Sequence, residues 1–70
     1  MSKLKYFFFN GQEYSTTHEI TILELIKYFD YNTSLFVVEY NNQIYDKKKW
    51  NSILIKNDDK IEIVTIVGGG

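Results

Sequence analysis

The chain contains no cysteine, no proline, no arginine and no alanine, and only one histidine. Without cysteine there is no disulfide staple, no thiol nucleophile and no thiolate ligand for zinc. Small domains often rely on disulfides or a structural metal. Here 70 residues must hold together by packing alone, and a domain of this size buries only about 60 % of the surface its unfolded chain exposes. Charge of one sign is also lacking. A net charge of −1 leaves no electrostatic footprint for nucleic acid. No apolar run approaches the length of a membrane span. No Ser/His/Asp set, phosphate-cradling glycine loop or metal-ligand spacing appears, so no enzyme chemistry is expected.

Aromatic residues, at 17 %, are abundant and suit a small core. Ile, Lys, Asn, Phe and Tyr together make up about half of the chain. Those residues follow AT-rich codons and point to an AT-rich bacterial or plastid genome. Met1-Ser2-Lys3 leads straight into a strand-like run, so no signal or transit peptide is expected. The reading is a protein at work where it is made, in bacterial cytoplasm or, if plastid-encoded, in the stroma. The run Lys47-Lys48-Lys49 reads as a solvated loop.

Lys3 to Asn10 is strand-like, and Asn10-Gly11 between two such runs predicts a type I′ hairpin, which needs φ > 0 at both central residues. Gln12 to His18 returns. Thr21 and Glu24 then form a capping box, followed by Ile22, Leu25, Ile26 and Phe29 at helical spacing. Asp30 to Ser34 closes the helix. Leu35 to Tyr40 predicts a third strand, Asn41-Asn42 a turn, and Gln43 to Tyr45 a short fourth strand. Asp46 to Asn51 is polar apart from Trp50, which is expected to pack. Ser52 to Ile55 reads as a brief extended piece, Lys56 to Lys60 as a tight polar turn, and Ile61 to Val67 as the last strand. The order β-β-α-β-β-β predicts an α+β chain of the β-grasp, or ubiquitin-like, kind: a mixed sheet of four to five strands with one helix on one face. The last strand should lie beside the first, in mid-sheet.

Residues 1–67 form the expected domain and residues 68–70 a flexible tail. Glycine loses the most entropy on ordering, so Gly68-Gly69-Gly70 adds nothing to a core. What it offers is access, because a backbone without Cβ atoms can thread a narrow channel and present the Gly70 carboxylate. Alternation in the first strand puts Leu4, Tyr6 and Phe8 on one face and Lys5, Phe7 and Phe9 on the other, and a single helix can cover only one of the two. Asp58 and Asp59 are adjacent in a turn, where side chains diverge, so they read as turn residues and not as paired catalytic carboxylates. His18 lacks companions for a metal site.

Trp50 after a charged loop, Ile55-Lys56 with the acidic turn, Ile61-Glu62-Ile63-Val64 and Val67-Gly68-Gly69-Gly70 resemble the ThiS family, the ubiquitin-like sulfur carriers of thiamine biosynthesis. Asn10-Gly11, Thr21 to Leu25 and Val38-Glu39 before Asn41 extend the resemblance over the whole chain. The family usually has Gly where Asp58 and Asn42 stand, and Pro or a similar residue at Asp46. The hairpin turn follows as it does in the family if Phe7 and Phe9 face the core, which leaves Tyr6 and Phe8 on the open face as the candidate partner-binding surface. The resemblance implies that a ThiF-type adenylating enzyme uses ATP to activate the Gly70 carboxylate. A cysteine-desulfurase relay then supplies sulfur to make a thiocarboxylate, and a ThiG-type thiazole synthase receives it. The carrier itself binds no cofactor and performs no catalysis. Three alternatives remain at this level: the small subunit of molybdopterin synthase, a ubiquitin-like protein modifier, and a β-grasp interaction module with an incidental tail.

Overall fold

The computed structural model describes residues 3–31 and 36–65. The Asn10-Gly11 turn has φ of 53° and 79°, as a type I′ turn requires. It joins β1 (Lys5–Phe9) to an antiparallel β2 (Gln12–Thr16). The capping box opens α1 (Ile22–Tyr28). The Glu24 amide donates to Thr21 Oγ1 at 3.1 Å, and the Thr21 amide donates to Glu24 Oε1 at 2.8 Å. A helix of seven residues is too short to persist alone. It is held by its buried stripe of Ile22, Leu25 and Ile26 and by a backbone tie from the Ile22 amide to the Ile53 carbonyl.

β3 (Phe36–Tyr40) pairs antiparallel with β4 (Gln43–Tyr45) through an Asn41-Asn42 turn that also has positive φ at both residues. β5 (Lys60–Thr65) lies between β1 and β3, parallel to the first and antiparallel to the second. The sheet order is β2-β1-β5-β3-β4. The last strand is therefore central, as the crossover argument predicts. Among the described residues the arrangement is an α+β grasp with five strands and one α-helix.

The core consists of Phe7, Phe9, Ile22, Leu25, Ile26, Phe36, Val38, Trp50, Ile55 and Ile61. Trp50 stacks on Phe36 with ring centroids 5.7 Å apart, and its indole N–H donates to the Tyr45 carbonyl at 3.1 Å. The expected placement of Phe7 and Phe9 inside and of Trp50 in the core holds.

Two local expectations need correction. The segment read as a solvated loop around Lys47-Lys48-Lys49 is a 3-10 helix, Lys47–Ser52, capped by Asp46. Burying Trp50 demands this tight turn, which leaves all three lysines exposed. Ser52 belongs to that helix and not to the extended piece after it. Of that piece, Leu54 bridges Thr21, and the Ile55 amide donates to the Ile20 carbonyl.

Candidate functional site: a central stem and an open sheet face

Gly68, Gly69 and Gly70 lie outside the described residues. What the structure describes is their stem. β5 runs toward the end of the sheet where the Asn10-Gly11 turn sits, because it is parallel to β1 and Phe9 is level with Ile61. Ile61 is fully buried and Ile63 half-buried on the helix side, while Glu62 and Val64 face the other way.

Two asparagine side chains secure this strand. The Lys60 amide donates to Asn41 Oδ1 at 2.8 Å, and the Ile63 amide donates to Asn10 Oδ1 at 2.9 Å. A third, Asn57, accepts from the Tyr6 amide at 2.8 Å and ties the turn before β5 to β1.

The expected partner surface is exposed as read. Tyr6 is 45 % and Phe8 37 % exposed, side by side on the face away from α1. The register extends that face beyond these two rings. Val64 lies opposite Val37, and Glu62 opposite Glu39, which is itself opposite Ile44. Ile44, at 64 % exposed, is the most open apolar residue on the face among the described residues, and sequence reasoning missed it. The signal was a lone apolar residue between Gln43 and Tyr45 in a three-residue strand, too short to show alternation. Val64 was legible in the alternation of the last strand.

The residues read as turn or solvent groups behave unequally. Asp58 sits in the turn at φ 70°. Asp59, in contrast, is buried. Its Oδ2 accepts from the Tyr40 hydroxyl and from the Lys56 amide, each at 2.6 Å, and its Oδ1 accepts from Asn41 Nδ2 at 3.1 Å. Burial, reinforced by the bond to Asp59, raises the Tyr40 hydroxyl well above its ordinary pKa. The hub is structural: each of its three donors is aimed at the Asp59 carboxylate, and no buried side-chain polar atom among the described residues lacks a bond. His18 is exposed, and no group of three metal-capable side chains occurs among the described residues. A cleft of about 380 Å³ lies between β2 and α1, lined by Tyr14, Thr16, His18, Leu25 and Phe29 among others, and no residue of β5 borders it.

The comparisons with known proteins agree with this geometry. The model of the ThiS family matches residues 7–70. An uncharacterized protein ycf40 of Trieres chinensis is 61 % identical over 70 residues, covering all of this chain and 96 % of that protein. The protein of the same name from Porphyra purpurea is 33 % identical over 61 residues, covering 87 % of this chain and 86 % of its own length. The crystal structure of the thiamine biosynthesis protein ThiS from Geobacter metallireducens superposes with a TM-score of 0.80 at 19 % identity, over 93 % of this chain and 99 % of that one. That likeness establishes the shared fold. With the family match spanning nearly the whole chain, the protein belongs to the ThiS family and is a small ubiquitin-like sulfur carrier, not a catalyst.

Proposed function

We propose that this carrier delivers sulfur for thiazole formation in thiamine biosynthesis, with the Gly70 carboxylate as its working group. The carboxylate attacks the α-phosphorus of ATP on a ThiF-type enzyme, pyrophosphate leaves, and an acyl-adenylate forms. The outer sulfur of a persulfide on a cysteine-desulfurase relay attacks the activated carbonyl, AMP leaves, and an acyl disulfide forms. A thiol then attacks the relay's sulfur, forming a new disulfide with it and releasing the thiocarboxylate for a ThiG-type thiazole synthase. The logic is that a carboxylate resists attack until it has a good leaving group. The carrier supplies the atom that is modified, a glycine tail (Gly68, Gly69) slim enough to enter a partner's site, and a docking face around Tyr6 and Phe8.

The observation that carries this reading is the central place of β5, paired on both sides beside an open apolar face, with Gly68-Gly69-Gly70 following it in the sequence. A stem held by two neighbouring strands and an exposed docking patch are what a carrier handed between enzymes needs. The proposed compartment is the plastid stroma, since the ycf40 relatives belong to a plastid-encoded gene of algae.

The test is mass spectrometry of the protein after incubation with a ThiF-type enzyme, ATP and a sulfur source. The expected product has one C-terminal oxygen replaced by sulfur. It should feed thiazole formation when a ThiG-type synthase is added. Appending one residue after Gly70 should abolish the product while leaving the circular dichroism spectrum unchanged. Misplacing a reacting group by about 1 Å can cost about 100-fold in rate, and an extended residue spans about 3.3 Å. A lysine conjugate instead of a thiocarboxylate would make the protein a modifier. Transfer of sulfur only to a molybdopterin precursor would make it that pathway's carrier.

A further inference from the structure

Asn10 makes two bonds to β5 where one strand residue would make them both with its backbone. Its amide donates to the Ile61 carbonyl at 2.9 Å, and its side-chain Oδ1 accepts from the Ile63 amide, also at 2.9 Å. In a parallel ladder the second bond belongs to the residue's own carbonyl. Asn10 is at φ 53°, so its carbonyl has already turned into the hairpin. The carboxamide takes the vacated place and carries the β1–β5 ladder one step past Phe9, the last residue of β1. Asn41 does the same at the other end of β5: its amide donates to the Lys60 carbonyl and its Oδ1 accepts from the Lys60 amide, both at 2.8 Å.

The two turns thus demand more than a residue that tolerates φ > 0, which Gly or Asp would also satisfy. At position 10 the side chain must also present an acceptor at the γ position. Asn10 Nδ2 lies 3.4 Å from the Tyr31 hydroxyl, and the Tyr31 ring packs edge-on against Phe9 and Phe36. The clamp is therefore footed in the core.

We infer that Asn10 is a positioning residue for sulfur loading: by holding Ile63 it fixes the stem that precedes the C-terminal glycines in the sequence. The inference rests on the carrier reading above and adds to it a residue of the Asn10-Gly11 turn, apart from the Tyr6 and Phe8 pair. Asn10→Gly keeps the turn, because glycine accepts φ > 0, but removes the acceptor. Asn10→Asp keeps both, and the Tyr31 hydroxyl can donate to the new carboxylate.

Three measurements are made on the parent and both variants: hydrogen exchange at the Ile63 amide, thermal melting, and steady-state adenylation by a ThiF-type enzyme. Asn10→Gly should exchange the Ile63 amide at least about tenfold faster and lose about tenfold in kcat, with KM changed less than about twofold, since the docking face is untouched. Asn10→Asp should restore kcat and protection to within about twofold of the parent. Ile63 protection unchanged in Asn10→Gly would overturn the clamp. Faster exchange with unchanged kcat would overturn the positioning role and leave the carrier reading intact. A loss confined to KM, or one that Asn10→Asp fails to rescue, would also overturn it. A parent chain that is not adenylated at all would remove the carrier reading, and this inference with it.

Discussion

Replacing Asp59 with alanine should be the most damaging single change in the loop that leads into the central strand. The carboxylate is buried and accepts three hydrogen bonds. Asn41 Nδ2 can turn to water once its acceptor is gone. The Tyr40 hydroxyl and the Lys56 amide are half-enclosed by the same loop and cannot do so freely. A stranded buried donor costs about 1–3 kcal/mol, so two of them amount to about 3 kcal/mol. The whole stability of a chain this size is about 4–10 kcal/mol. In urea, with a slope of about 1 kcal/mol per molar for small domains, the midpoint should fall by about 3 M. Asp59→Asn should lie between parent and alanine. Its oxygen can serve Tyr40 and Lys56, but its NH2 then meets the Asn41 NH2, whose own oxygen is committed to Lys60. Tyr40→Phe removes only one of the three bonds and should cost about 1 kcal/mol. A midpoint shift of less than about 1 M for Asp59→Ala would refute the idea that this carboxylate organises the loop.

Three further outcomes follow from the same geometry. Phe8→Glu should weaken binding to the adenylating enzyme in a titration while changing stability by less than about 1 kcal/mol, because the new charge sits in water between Glu13 and Lys60. Asp58→Ala should cost about 1–2 kcal/mol in a urea melt, as alanine is forced to φ 70°, whereas Asp58→Gly should not. The Tyr40 pKa is raised in the folded state, so its share of stability is intact below the unfolded value of about 10 and is lost as pH climbs above it. Alkaline unfolding should be shallower in Tyr40→Phe than in the parent.

The departures from the family's usual pattern make physical sense in this light. Asn42 and Asp58 occupy left-handed conformations, at φ 71° and 70°, where glycine would be unstrained and Asn or Asp is next best. Asp46, at φ −64°, has the angle that proline would impose. It uses its freedom from the ring to cap the 3-10 helix, accepting from the Lys48 amide.

What the sequence by itself determined is what depends on near neighbours. The Asn10-Gly11 turn, the Thr21–Glu24 capping box and the stripe Ile22, Leu25, Ile26 act over four residues or fewer. The alternation Tyr6-Phe7-Phe8-Phe9 assigns the two faces of β1 as soon as one face is buried. The central place of β5 was legible from connection rules. Other features were decided only when distant segments met. Asp59 is an ordinary turn residue until Tyr40 and Asn41, 19 and 18 positions away, aim their donors at it. Asn10 is an ordinary turn residue until the Ile63 amide, 53 positions on, arrives beneath its side chain. The lysine run becomes a 3-10 helix because Trp50 must reach Phe36 and the Tyr45 carbonyl. Local rules cannot show such roles, since a side-chain acceptor gains its meaning from the donor that folding brings to it.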